Sequence, residues 1–152
     1  MSSKASVPSG IFQGSIIGPL LFILLINNIT EGITSQVKLI ADDTKLFRPV
    51  AKQEDVTILQ SNINMLNRNL ESLGLSFNAK KCKTLWIGPK PKKINDTLTI
   101  ARTNTVSVIS HTDCKRDLGI FIDSGIKFHQ HTDLITNKAS RLVGPIRQSF
   151  NI

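Results

Sequence analysis

The chain has 152 residues and a formal charge of +8, with 19 Lys and Arg residues against 11 Asp and Glu residues. This length predicts one modest domain, and the positive charge with a pI near 9.8 predicts a polyanionic partner such as nucleic acid. A hydrophobic content of 40% excludes a disordered chain, and two cysteines exclude a disulfide framework.

The first predicted element is an N-terminal helix beginning at Ser15. Ser15 is able to cap the helix, Pro19 falls in its first turn, and the apolar run ends at the Asn and Gly residues of "NNITEG". We expect this helix to be mostly buried. The run is too short to span a bilayer and no signal-peptide cleavage pattern follows it, so we expect an intracellular protein with no membrane partner.

A glycine-containing segment, Gln13-Gly14-Ser15, leads into this helix. Glycine allows a nucleic acid or nucleotide to approach the backbone closely, and a helix N-terminus favours phosphate. The same pattern is typical of an ordinary turn. It is not a P-loop, because no lysine follows Gly14 or Gly18.

Two short strands, "VKLI" and "TKLF", flank Ala41-Asp42-Asp43, which places both aspartates at the tip of a predicted hairpin. Aspartate is common in tight turns because its side chain bonds the neighbouring backbone. The alternative is a metal site, in which the carboxylates hold Mg²⁺ and present it to phosphate groups. A complete two-metal site needs at least one further carboxylate from elsewhere.

The clearest periodic signal predicts an amphipathic helix from Glu54 to Leu73, with Gly74 as its C-terminal stop. Its apolar positions recur at spacings of four and three: Leu59, Ile63, Leu66, Leu70 and Leu73. Short strands are then predicted at "LSF", "TLWIG" and "DLGIFID", with an exposed turn over residues 88–95. A last helix is predicted from about His131 towards Arg147, with Pro145 disturbing its end.

A basic cluster follows the predicted amphipathic helix, and it either tracks a phosphate backbone or forms a solvated loop. Its members are Lys80, Lys81, Lys83, Lys90, Lys92 and Lys93. The cysteines and histidines have spacings that fit no standard zinc pattern, so surface polar residues are the preferred interpretation.

Four segments in order, "GIFQGSIIGPLLF", "IADDTKLF", "LGLSFNAKKCKTLWIG" and "KRDLGIFIDSGIKF", resemble the reverse transcriptase of non-LTR (LINE-type) retrotransposons, most closely the jockey-like group. The resemblance covers about residues 6–150. It implies an α+β fold, a partial polymerase palm with an aspartate-bearing hairpin, a long amphipathic helix, further short strands and the start of a helical thumb. It leaves residues 1–9 unassigned and implies palm over 10–127 and thumb over 128–152.

The resemblance also implies the chemistry, which is two-metal nucleotidyl transfer onto a primer 3′-hydroxyl, with Mg²⁺ as cofactor. The implied partners are an RNA template, a DNA primer and deoxynucleotides. Asp42 and Asp43 match the catalytic, metal-binding carboxylates. The template- and nucleotide-binding match is Gln13, Gly14 and Ser15, and the primer-contacting match is Leu118 and Gly119. Asn78, Lys81 and Cys82 match the family's Asn-x-x-Lys-Cys segment, and Lys80, Lys81 and Lys83 are the candidates for nucleic-acid backbone contact.

The family's fingers and a palm strand with another metal-binding Asp are expected upstream of Gly10, so the chain resembles the C-terminal half of a polymerase domain. We therefore expect a polymerase fragment that is inactive by itself. The alternative is a non-enzymatic retrotransposon remnant that retains nonspecific nucleic-acid binding.

Overall fold

The computed structural model of the chain describes residues 14, 16–40, 43–91, 93–102 and 105–150, with the side chains of 146–148 and 150 left out. Over these residues the fold is mixed, with three helices and four two-stranded sheets, which confirms the predicted α+β class. The helices are α1 (Gly18–Ile26), α2 (Gln53–Ser72) and α3 (His129–Phe150). The strands are β1 (Gln36–Ile40), β2 (Asp43–Phe47), β3 (Lys83–Thr84), β4 (Thr99–Arg102), β5 (Thr105–Val108), β6 (Ser110–His111), β7 (Cys114–Asp117) and β8 (Ile120–Asp123).

The sheets pair β1 with β2, β3 with β6, β4 with β5, and β7 with β8. The chain divides into two compact units. Unit 1 comprises Met1–Phe77 with Thr99–Ser107, and unit 2 comprises Asn78–Leu98 with Val108–Ile152. No helix in the described part of the chain is both long enough and apolar enough to cross a membrane.

The core of unit 1 forms where the apolar face of α2 meets the end of α1 and the turn after it. Ile26, Ile29, Leu66 and Leu70 are buried there. Half-buried side chains surround them: Phe22, Ile33, Leu39, Leu73, Leu75 and Phe77. Because Leu39 lies on β1, this core also supports the aspartate hairpin from one side.

Two side-chain amides of α2 hold strand β4 within unit 1. The Gln60 amide accepts from the Thr99 backbone N–H at 2.8 Å and donates to the Thr99 carbonyl at 2.9 Å. Asn67 donates to the Ala101 carbonyl at 2.8 Å. These bonds satisfy backbone groups that a two-stranded sheet leaves open at its edge.

Two further amides of α2 hold the turn between α1 and β1. The buried Asn62 donates to the Ser35 hydroxyl at 2.6 Å and accepts from the Thr34 backbone N–H at 3.3 Å. Asn69 donates to the Ile29 carbonyl at 2.8 Å. The Asn69 side chain therefore anchors this turn through hydrogen bonds to backbone carbonyls.

Helix α1 begins and ends close to the predicted positions, but the expectation that it is mostly buried is wrong. Within the helix only Gly18 and Ile26 are buried. The exposed side chains are Leu20, Leu21, Ile23, Leu24 and Leu25. Its apolar residues lie all round the helix, whereas the core of unit 1 contacts one side only, so the remaining side faces outward.

Helix α2 confirms the amphipathic prediction, with Ile63, Leu66 and Leu70 buried. At its start, the Asp55 carboxylate accepts from the backbone N–H groups of Ala51 and Lys52, and these bonds lower the pKa of Asp55. At its end Gly74 has a φ of +71°, as the predicted C-terminal stop requires.

Several predicted strands in the second half of the chain differ from the structure. "LSF" forms no strand, and of "TLWIG" only Thr84 belongs to one. "DLGIFID" does not form the single predicted strand, because it turns back on itself to complete the β7–β8 hairpin. Helix α3 is confirmed, yet it continues through Pro145 to Phe150 rather than ending near Arg147.

Candidate catalytic hairpin and nucleic-acid interface

The predicted aspartate hairpin is present as the antiparallel pair β1–β2. Its register runs from Gln36 opposite Phe47 to Ile40 opposite Asp43, so only positions 41 and 42 separate the last paired residues. Asp43 begins β2 and is exposed to solvent. Asp42 lies outside the described residues.

Asp43 is therefore an exposed carboxylate at the turn end of a hairpin whose other strand packs against the unit 1 core through Leu39. An exposed carboxylate on a hairpin that the core supports is suited to binding a hard cation. Among the described residues, no group of three or more His, Cys, Asp or Glu side chains lies close enough to hold a metal ion.

The predicted template- and nucleotide-binding segment is described at Gly14 alone, because Gln13 and Ser15 lie outside the described residues. Gly14 is exposed and has a φ of +85°, which any residue with a Cβ adopts only under strain. A Cβ added there would contact nothing within 4 Å, so the backbone conformation rather than crowding favours glycine at this position.

The predicted primer-contacting residues form the tip of the β7–β8 hairpin. Asp117 pairs with Ile120, which leaves Leu118 and Gly119 as a two-residue turn with φ values of +46° and +90°. Two central residues with positive φ are typical of a type I′ turn, which favours Asn-Gly. Leucine is strained in the first position, and its side chain is 62% exposed. An apolar side chain is thus held outward where turn geometry alone favours asparagine.

The predicted backbone-binding lysines, Lys80, Lys81 and Lys83, are all exposed in unit 2. They lie at the turn that enters β3, where the Asn78 carbonyl accepts from the backbone N–H of Lys81 at 2.9 Å. Lys83 donates from Nζ to the Ser110 hydroxyl at 2.6 Å. The structure thus brings Lys83 into contact with β6, a strand that the sequence did not predict.

Asp123 is a residue that sequence reasoning did not single out. Its carboxylate accepts from three backbone N–H groups: Lys127 at 3.0 Å, Phe128 at 2.6 Å and Gly125 at 3.0 Å. These bonds lower the pKa of Asp123, and the bond from Lys127 has the largest effect. The loop they organise contains two strained residues, Ile126 and Phe128, with φ values of +52° and +57°. The Asp-Ser-Gly sequence was the available signal, since Asp before Gly is typical of a side-chain-stabilised turn.

Because the pKa of Asp123 is lower in the folded chain than in the unfolded chain, its stabilising effect is present at neutral pH and is lost as the pH falls below about 4. We expect Asp123→Asn to lower the urea midpoint of unit 2 at pH 7, because one amide oxygen replaces two carboxylate oxygens that accept three bonds. The variant should lose less additional stability than the wild type between pH 5 and pH 3. Fluorescence of Trp86, the single tryptophan, monitors unit 2 directly.

The matched control is Asp133→Asn, which removes an exposed carboxylate from α3. It should leave the urea midpoint at pH 7 nearly unchanged. Equal midpoints for Asp123→Asn and the wild type at pH 7 would contradict the role of Asp123 in this loop.

The sequence matches the reverse transcriptase (RNA-dependent DNA polymerase) family over residues 3–123, which is most of the chain. The chain therefore belongs to the reverse transcriptase family. No curated protein and no solved structure matches it. The aspartate hairpin, the lysine-bearing β3 segment and the β7–β8 hairpin all fall inside the matched range.

Proposed function

We propose that this chain provides the catalytic hairpin and part of the nucleic-acid-binding surface of an RNA-directed DNA polymerase from a non-LTR retrotransposon. The observation that carries the proposal is the β1–β2 hairpin, which has the exposed Asp43 at its turn end, in a chain of the reverse transcriptase family. The four ordered sequence segments support the non-LTR assignment.

In this proposal Asp42 and Asp43 hold Mg²⁺, which supplies positive charge where negative charge develops during phosphoryl transfer. The backbone at Gly14 lies against the template and the incoming nucleotide, as its exposed, left-handed conformation allows. The outward Leu118 side chain contacts the primer. The lysines at the entry to β3 contact backbone phosphates as charged donors.

The 152-residue chain is proposed to bind a primer–template without extending it. A two-metal site requires carboxylates beyond one adjacent pair. The alternative is a non-enzymatic remnant that binds nucleic acid nonspecifically. Both functions require binding to nucleic acid. They differ in whether Asp42 and Asp43 are still able to hold catalytic Mg²⁺.

Binding is therefore the first property to test. Because the chain carries a formal charge of +8, its association with a labelled RNA–DNA primer–template should be driven largely by counterion release. We expect the logarithm of the association constant to fall linearly with the logarithm of salt concentration, measured by fluorescence anisotropy. Duplexes of equal length and unrelated sequence should bind with similar affinity.

An affinity that does not change with salt, or no binding at low salt, would contradict both functions. Asp43→Asn serves as the control for charge near the hairpin. It removes one negative charge, so it should leave the affinity equal or slightly higher.

A further inference from the structure

The positive charge of this protein is concentrated in unit 2. Unit 2 contains twelve of the nineteen Lys and Arg residues but only five of the eleven Asp and Glu residues, so it carries seven of the eight net positive charges. Unit 1, which contains the aspartate hairpin, is nearly neutral. The residues proposed for chemistry and the charge that attracts a polyanion thus belong to different units.

Within unit 2, two contacts that the sequence did not predict involve three lysines. Lys115, on β7, donates from Nζ to the carbonyl oxygen of Lys81 at 3.4 Å, which brings two exposed lysines together from positions 34 residues apart. Lys83, at the start of β3, donates from Nζ to Ser110 at 2.6 Å. We refer to Lys81, Lys83 and Lys115 as the lysine strip.

These contacts hold two of the strip's ammonium groups without neutralising them. An ammonium has three N–H donors, and a bond to a neutral carbonyl or hydroxyl leaves further donors for phosphate oxygens. Fixing a long side chain beforehand also reduces the conformational entropy that binding must overcome. Two described ion pairs of unit 2, Lys90 with Asp96 and His111 with Asp113, do not include the strip.

We propose that the lysine strip is one phosphate-binding surface for the backbone of a bound nucleic acid, and that Lys115 is a contact residue of that surface. The strip leads along β7 towards the turn at Leu118 and Gly119, because Lys115 and this turn belong to the same hairpin. The β7–β8 hairpin therefore carries both a lysine of the strip and the proposed primer contact. This inference rests on the proposed nucleic-acid-binding function and states which part of the chain performs it.

The test compares Lys115→Ala with Lys138→Ala in the full chain, since both remove one exposed charge from unit 2. The measured quantity is the slope of log association constant against log salt for a labelled RNA–DNA duplex. Lys115→Ala should reduce the magnitude of the slope by about 0.9 and weaken binding roughly fivefold to tenfold near 0.1 M salt. Lys138→Ala should leave the slope unchanged, and Lys115→Arg should keep it at the wild-type value.

Equal slopes for Lys115→Ala and Lys138→Ala, with duplex binding intact, would overturn the lysine strip while leaving the proposed function in place. No binding by the wild-type chain would overturn the proposed function itself. A third outcome is that Lys115→Ala weakens binding to phosphatidylcholine–phosphatidylserine vesicles and leaves duplex binding unchanged. That outcome would overturn the strip as a nucleic-acid surface and identify an anionic membrane as its partner.

Discussion

Primer extension is expected from a chimera in which residues 10–152 follow the fingers and upstream palm of an active reverse transcriptase, but not from the 152-residue chain alone. The upstream half supplies the further carboxylate, and residues 10–152 supply Asp42 and Asp43. Packing of Leu39 against the unit 1 core gives the hairpin a support that should survive fusion. Template-dependent incorporation of a labelled deoxynucleotide measures the result.

In that chimera Asp42→Asn and Asp43→Asn should each reduce synthesis at least about a hundredfold, because each removes a charge proposed to hold Mg²⁺ at the reacting phosphate. Lys38→Ala is the matched control. Lys38 is exposed on β1 of the same hairpin and pairs with Lys45 in the register, so its loss tests the hairpin without removing a carboxylate. It should have a much smaller effect on synthesis.

The outcomes separate the two functions. A chimera that folds and binds duplex but makes no DNA would support the remnant. Activity that is indifferent to both aspartate substitutions would contradict the assignment of the catalytic pair. Template-dependent synthesis by the unfused chain, lost in Asp42→Asn, would contradict the proposed dependence on a further carboxylate.

Elements whose signals are local could be predicted from the amino-acid sequence. Helix α2 was predictable because Ile63, Leu66 and Leu70 recur at helical spacing and Gly74 follows its end. The β1–β2 hairpin was equally predictable, since two short apolar segments flank a turn sequence. The residue pattern left an ordinary turn and a metal site open for Asp42 and Asp43, and the family resemblance singled them out as candidate catalytic residues.

Other elements depend on partners distant in sequence. Strand β4 was not predicted, and its backbone is bonded by Gln60 and Asn67 of α2, more than thirty residues away. The β7–β8 hairpin resembles one continuous strand in sequence because Leu118-Gly119 does not have the usual composition of a type I′ turn. The contact between Lys115 and Lys81 could not be predicted either, because no local sequence pattern relates β7 to the turn before β3.

Helix α1 shows the limit of inference from hydrophobicity. An apolar segment predicts burial, yet burial requires a surface that covers it, and the unit 1 core covers one side of α1 only. Leu24 is 62% exposed, whereas Leu66 of α2 is 3% exposed in the core beneath. The same residue type in the same unit thus occupies two different environments.

This contrast gives the second large prediction. Leu66→Ala should lower the free energy of unfolding by about 2–5 kcal/mol, because it removes buried methyl groups and leaves a cavity. Leu24→Ala, the matched control, should change it by less than about 0.5 kcal/mol, since the side chain already contacts solvent and alanine favours a helix. Urea denaturation followed by far-UV circular dichroism measures both, with the shift expected in the midpoint and not in the slope.

Equal, small effects would contradict the assignment of Leu66 to the core. Equal, large effects would instead show that the outer face of α1 is covered in solution, because only a buried leucine loses several kcal/mol on truncation.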